Sequence, residues 1–416
     1  MFARLVSTIL AVFLLLPASS IALADNNIIE IEFYQQNEAD VDIFERIIQV
    51  FESDYPAIHV KQVNLPEEDS GTVLNARIQN NDAPDVFNEW FSQDMFNKAD
   101  AGVLRDMTDS YVAKLILPTV LSDTTYAGKN YMLPMTCNFM GVYYNADLFE
   151  KYSLKIPTTL DEFWALCDTL QALGITPISA GDKDGWNLAH WVQDIIGEYM
   201  PDYSDEFLDI YEGTLNVADM NGIADVAEIV INRSKYVQSD CLGADSETMV
   251  GQFLNQKAAM MLNGSWWMGT LNAAEPGFEY AVFPFPGRTK DETAVMSSAD
   301  FSFVLSAQSS PEEQTAAETF VTWMMTTGAK IYISQSGAPS ALQAIQADSS
   351  KYQAMIPYMK AGKVFRMPYS GRWNDAAYLD YTVALQNLVA TGDIEAFYEG
   401  FEDALIYSGK PAKYVD

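Results

Sequence analysis

Four short stretches set a tryptophan beside groups that hydrogen-bond: Glu89-Trp90, Asp184-Gly185-Trp186-Asn187, Ser265-Trp266-Trp267 and Arg372-Trp373-Asn374-Asp375. That pairing suits a sugar. A sugar ring offers apolar C–H patches on its faces, which an aromatic plate covers. Its rim carries hydroxyls, which carboxylates, amides and Arg satisfy. In a half-dry cleft an unpaired polar group is costly, so such side chains belong in loops at strand and helix ends. Each indole has a second reading, because a Trp is large and usually packs into a core. Trp266 and Trp373, in polar loops with Gly nearby, read as cleft plates. Trp186 and the Glu89-Trp90 pair stand evenly between cleft and packing. Trp267 stays a candidate although, like Trp191, it can pack inward beside its neighbour. Trp164 and Trp323 lie on helix faces and read as core.

Other chemistry has little support. The chain has two His, His59 and His190, and no His-Glu-x-x-His pattern, so no metal site is expected. It has no Gly-x-Ser-x-Gly elbow and no phosphate-binding Gly-x4-Gly-Lys loop. With 57 Asp and Glu, some carboxylate pair will fall at a glycosidase separation by chance, so such a pair carries no information. Glycoside hydrolase remains the enzymatic alternative. A receptor for a peptide or an inorganic ion is the non-sugar alternative. The four aromatic–polar loops favour a sugar, bound without turnover and without a cofactor. A net charge of −33 argues against nucleic acid, which needs clustered Lys and Arg.

The elements that must hold these residues follow from periodicity. Residues 28–34 alternate Ile29, Ile31 and Phe33 with Glu30 and Glu32, a strand pattern. Phe44, Ile47, Ile48 and Phe51 form one helical stripe. Residues 58–63 are again β-like, and β-α-β argues for a parallel, helix-covered sheet. Ala83 to Phe87 reads as the end of a further strand, and Tyr143-Tyr144-Asn145 as the end of another. Thr159-Leu160-Asp161-Glu162 and Ser310-Pro311-Glu312-Glu313 read as capping boxes. From about Ala341 the chain looks mainly helical. At 416 residues it exceeds what one core supports, roughly 250–300, so two lobes are expected. The N-terminus reads as an export signal: Arg4, an apolar run from Leu5 to Leu16, then Ala22-Leu23-Ala24. The run is short for a spanning helix, though an uncleaved anchor is the alternative. No Cys follows to carry a lipid. Cys137, Cys167 and Cys241 are too few and too widely spaced for a disulfide framework or a zinc site; one bridge is possible.

Six ordered motifs then resemble the family 1 extracellular solute-binding proteins, which include maltose- and oligosaccharide-binding receptors. They are Pro84-Asp85-Val86-Phe87 with Trp90-Phe91 and Gly102-Val103-Leu104; Gly128-Lys129-Asn130-Tyr131 to Pro134; Tyr143 to Phe149; Pro157 to Phe163; Ala258 to Met261; and Gly264-Ser265-Trp266. The resemblance spans nearly the whole mature chain and implies an α/β fold of the two-lobed periplasmic-binding-protein type (type II-like) with hinge crossings between lobes. Lobe one would comprise 25–137 and 302–339, lobe two 138–301 and 340–416, after a signal peptide at 1–24. A sugar would lie in the interlobe cleft, closed by a hinge motion, and pass to the membrane permease subunits of an ABC importer. The protein would be a monomer. By position, Trp186, Trp266 and Trp373 match sugar-stacking places in maltose-binding relatives. Glu89 and Trp90 fall in the loop that supplies lobe-one contacts, and Gln35 and Gln36 follow the first strand. Asn138 and Asp300 sit at crossings; Gln35, Gln36 and Asn138 have the alternative of capping strand ends. Arg372 flanks Trp373. The export reading has a direct check. Intact mass of the secreted protein is expected to match a free chain beginning at Asp25; a retained N-terminus or an attached lipid overturns it.

Overall fold

The alternation near the start of the chain becomes strand β1 (Ile29–Gln35), and the stripe after it becomes the helix Val41–Asp54, with Phe44, Ile47, Ile48 and Phe51 buried. β2 (Ile58–Asn64) then returns parallel to β1, so the expected β-α-β unit is present. In the computed structural model of the protein, the described residues are 28–37, 40–64, 67–346, 348–368 and 375–407. The export segment lies outside them.

β3 (Val86–Asn88) joins β1 in parallel on its other side. The Pro84-Asp85 pair precedes this strand; it does not end one. Pro84 has no N–H to give a ladder, and the Asp85 carboxylate accepts the Glu32 N–H at 2.8 Å. A hairpin of β4 (Thr125–Tyr126) and β5 (Lys129–Asn130) follows. Its turn residues Ala127 and Gly128 have φ of 50° and 75°, the left-handed values a two-residue hairpin turn needs. β6 (Leu133–Pro134) ends this part of the chain. β7 (Met140–Asn145), β8 (Thr176–Ser179), β9 (Ala258–Gly264) and β10 (Tyr280–Phe283) build a second sheet in the order β10-β7-β9-β8. β11 (Val295–Met296) pairs with β13 (Val364–Phe365). Between them β12 (Ser302–Leu305) re-enters the first sheet, whose order is β2-β1-β3-β12-β6. That sheet is therefore mixed, because β12 arrives from the second half of the molecule and runs antiparallel to β3.

Both sheets are covered on both faces, and residue alternation shows it. Ile31, Phe33, Val86 and Phe303 enter one cluster; Tyr34, Phe87 and Val304 enter another on the opposite face. In the second sheet Met140, Val142 and Leu262 face one cluster, Phe139, Tyr143 and Met261 the other. The helix Pro311–Trp323 starts with the full capping box expected at Ser310. The box at Thr159 is only half formed: Thr159 Oγ1 accepts the Glu162 N–H, but Glu162 turns back to Thr158. Trp323 is buried and its Nε1 donates to Asp54 at 2.9 Å. Trp164 is only half-buried, its ring stacked on Tyr236. The three cysteines are free and buried.

The clusters divide cleanly along the chain. Residues up to Met135 and from Phe301 to Leu342 share the first pair; Phe139 to Met296, and Tyr352 onward, share the second. Three passes join them, bonded side by side. Met135 N–H donates to Phe301 O at 2.8 Å, Cys137 N–H to Pro339 O at 2.8 Å, and Asn138 N–H to Ser298 O at 2.9 Å. The last pass leaves later than the 339 expected from sequence. Ser340 bridges Thr136, Leu342 bridges Ile116, and Gln343 donates to Lys114 and Ile116, so this stretch satisfies backbone of the first half.

One buried feature near the second pass sets a pH response. Asp194 and Glu198, one turn apart on the helix Gly185–Tyr199, accept the backbone N–H groups of Met296 and Ala294. Burial pushes the Asp194 pKa up to about 7 and raises Glu198 as well, where the Asp194 charge adds to the effect. The folded state therefore holds protons that the unfolded chain has released between about pH 4 and 7, and stability rises as pH falls through that window. His190 works in the opposite sense, since burial lowers its pKa below 6.5. Melting temperature measured from pH 8 to 5 should climb in the wild type, and Asp194→Asn should flatten the climb. An unchanged slope in the variant would rule this pair out as its source.

Candidate functional site

The strand ends dictate where a site can form. β1 ends at Gln35 and β3 at Asn88, and Asn88 is registered on Phe303 beside Ser302, where β12 begins. The joining segments thus leave the first sheet at the end that carries Gln35 and Asn88. In the second sheet Met140 is registered on Gly264, so β7 begins where β9 ends. The loops after β8 and β9 lie at that same end. Ligands of open α/β sheets bind outside such carboxyl ends.

On the second sheet, the loop after β8 runs into the helix Gly185–Tyr199, whose first turn carries Trp186. Trp266 follows β9 in a short 3-10 turn. The two indoles are half-buried with centroids 6.2 Å apart, tilted by 57°. His190, four residues after Trp186 and so on the same helical face, lies edge-on to both at 5.7 and 5.4 Å. Tyr378 closes the group, its Oη 3.1 Å from His190 Nδ1.

Behind the rings a polar network sets their spacing. Asn263 Nδ2 donates to Asn187 Oδ1 at 2.8 Å; Asn187 Nδ2 donates to Ser246 Oγ at 2.6 Å and to Gly181 O at 3.1 Å. Ser246 Oγ and N–H in turn donate to Asp184. The network thus ties the strand under Trp266 to the helix that carries Trp186, in a buried setting where each lost partner costs about 1–3 kcal/mol. The preceding loop is pinned by a buried fork, Arg233 to Asp182 at 2.8 and 2.9 Å, with the guanidinium over Trp191. Gly264 matters for space: a Cβ there would meet the Trp266 ring at 2.0 Å.

The other candidates divide. Gln35 is fully buried at the end of β1; its Oε1 accepts the Asn37 N–H at 2.7 Å, and its Nε2 has no partner among the described residues. Gln36 and Trp90 are half-buried beyond the strand ends. Glu89 turns inward, away from the cleft role read from its sequence position. Its carboxylate takes Lys98 Nζ at 2.6 Å, with both side chains about 8% exposed, and also the Trp90 N–H. Asn138 binds the neighbouring pass, accepting the Ser298 N–H on Oδ1 at 3.0 Å. Asp300 accepts from Thr136 Oγ1 at 3.4 Å; burial, then the Asp40 charge, push its pKa to about 6. Trp267 packs against the cluster of Phe139, Met268 and Met355. Arg372 and Trp373 lie outside the described residues. His190, Tyr378 and Asn263 were not among the sequence candidates, and Asn187 was singled out only as the polar neighbour of Trp186. The i, i+4 spacing of Trp186 and His190 was the one signal available.

Comparison with known proteins identifies the fold and the family. The sequence pattern of the bacterial extracellular solute-binding protein family matches residues 35–331. A multiple sugar-binding protein of Streptococcus mutans is 26% identical over 89% of both chains. The solute-binding protein RafE in complex with raffinose superposes with a TM-score of 0.83 at 26% identity, over 91% of this chain and 99% of that one. The apo form of RafE from Streptococcus pneumoniae gives 0.77 at 25% identity, over 92% and 98%.

Gly264→Ala tests the packing of the ring pair. The added methyl should displace Trp266 and change the near-ultraviolet circular dichroism, with the strand intact and Tm lowered by only a few degrees. An unaltered aromatic spectrum would mean that the ring does not rest on this backbone.

Proposed function

The chain belongs to the bacterial extracellular solute-binding protein family, and we propose that it captures a sugar or oligosaccharide between its lobes for an ABC importer. The observation that carries this reading is the half-buried Trp186–Trp266–His190 group at the strand ends of the second sheet. Two inclined indoles offer apolar plates to a ring, and Asp184, Asn187 and Asn263 hold them in place. The names of the relatives point the same way. One is a multiple sugar-binding protein, and a structure with high overlap holds raffinose.

In this reading Trp186 and Trp266 stack on the sugar from lobe two. Gln36 and Trp90 reach it from lobe one, with the fully buried Gln35 supporting them from the end of β1. Arg372 and Trp373 join them on the strength of sequence position. Glu89, Asn138, Asp300 and Trp267 act one step back, orienting loops and crossings. The lobes pivot about the bonded passes and close over the ligand. The protein works as an exported monomer that binds without turnover, engages permease subunits and leaves nucleic acid alone.

Alanine substitutions separate site from core. Against a panel containing raffinose, stachyose, melibiose and maltose, Trp186→Ala and Trp266→Ala should each weaken calorimetric binding by roughly 1–3 kcal/mol with little change in Tm. Trp323→Ala, a buried control, should cost roughly 3–5 kcal/mol of stability. Sustained cleavage of a bound sugar would sink the receptor reading, as would binding that ignores both indoles.

A further inference from the structure

In the aromatic group only His190 and the Tyr378 hydroxyl can accept a hydrogen bond, and Tyr378 Oη already faces His190 Nδ1 at 3.1 Å. That nitrogen also lies 2.8 Å from the Trp186 carbonyl oxygen. A carbonyl only accepts, so Nδ1 carries the proton. Burial keeps the pKa below 6.5, so the ring is neutral at pH 7 and Nε2 holds a lone pair. No partner for Nε2 exists among the described residues, and the atom is not among the buried unpartnered ones. Neither indole has an acceptor: each carries one N–H, and that of Trp266 is buried without a partner among the described residues. A sugar hydroxyl laid against these two rings would have nowhere on them to place its hydrogen.

Resting on the carbohydrate reading above, we infer that His190 Nε2 accepts a hydrogen bond from one ring hydroxyl of the bound sugar and so selects the sugar's hydroxyl pattern. The Trp186 carbonyl is the positioning group: it fixes the tautomer, and the helix holds the imidazole edge-on to both plates. A sugar lacking that hydroxyl leaves the lone pair unpaired in the closed cleft, and one bearing it at the wrong position cannot stack and bond together. The residue therefore sets specificity as well as affinity.

The test uses the full-length mature protein and the tightest binder among raffinose, stachyose, melibiose, maltose and galactose, with its monodeoxy analogues. His190→Phe keeps a flat ring without the acceptor and should weaken binding by roughly tenfold or more. His190→Gln, which returns an acceptor oxygen, should recover part of the loss. The wild type should lose a similar factor with one monodeoxy analogue, and His190→Phe should not distinguish that analogue from the parent sugar. A merely structural role would lower Tm and leave the analogue pattern intact. Equal discrimination by wild type and His190→Phe overturns the inference. If Trp186→Ala and Trp266→Ala also bind normally, or if no sugar binds, the carbohydrate reading falls with it. If the indoles matter and His190 does not, only the inference falls.

Discussion

The structure depends on a small set of backbone hydrogen bonds between three neighbouring chain passes. Met135 to Phe301, Cys137 to Pro339, Asn138 to Ser298 and Ala341 to Met135 bond the strands that join the two halves. Two helix-covered sheets with separate cores would otherwise be linked by loose tethers. Bonded passes resist sliding and shear but can bend together, which suits a hinge. They also carry side chains whose partners lie across the passes. Asn138 Oδ1 accepts from Ser298, and Thr136 Oγ1 accepts the Phe301 N–H while donating to Asp300.

From that constraint the cleft follows. Strands that leave the first sheet beside Gln35 and Asn88 enter the second beside Gly264, so each sheet aims one set of strand ends at the gap. The second sheet fills its end with rings. The first fills its end with amides and a buried pair. Glu89 and Lys98 illustrate the energetics. Removing both charges from water is expensive, and the short contact recovers that cost only while both partners stay. The pair holds the turn that carries Trp90 through the Trp90 N–H. It gives geometry to the loop, with its own charge spent internally.

A similar division runs through the second lobe. Arg233 and Asp182 are buried and paired, with the Trp191 face under the guanidinium, and they anchor the loop before Trp186. The Asn187–Asn263 link sets the distance between two indoles that are far apart in sequence. Close packing then sharpens the result, because Gly264 leaves room for the Trp266 ring where any Cβ would collide. Binding groups on a rigid, satisfied support lose little freedom when a ligand arrives.

Much of this was legible in the chain itself. The alternation in 28–34 and the stripe at Phe44, Ile47, Ile48 and Phe51 specify β1 and its helix, because burial of one face needs only local periodicity. The ordered motifs pointed to two lobes, and position within the resemblance made Trp186, Trp266 and Trp373 candidate plates. Local pattern could not say which Trp turns outward, nor that Glu89 spends its charge on Lys98 nine residues away. It could not show β12 inserted antiparallel in the first sheet, the late exit past Leu342, or His190 edge-on to the two indoles. Apart from the Glu89–Lys98 pair, each of these is decided by a partner distant in sequence. A side chain's periodicity tells which face it can occupy, whereas its partners are chosen only when sheets and crossings bring remote segments within hydrogen-bonding reach.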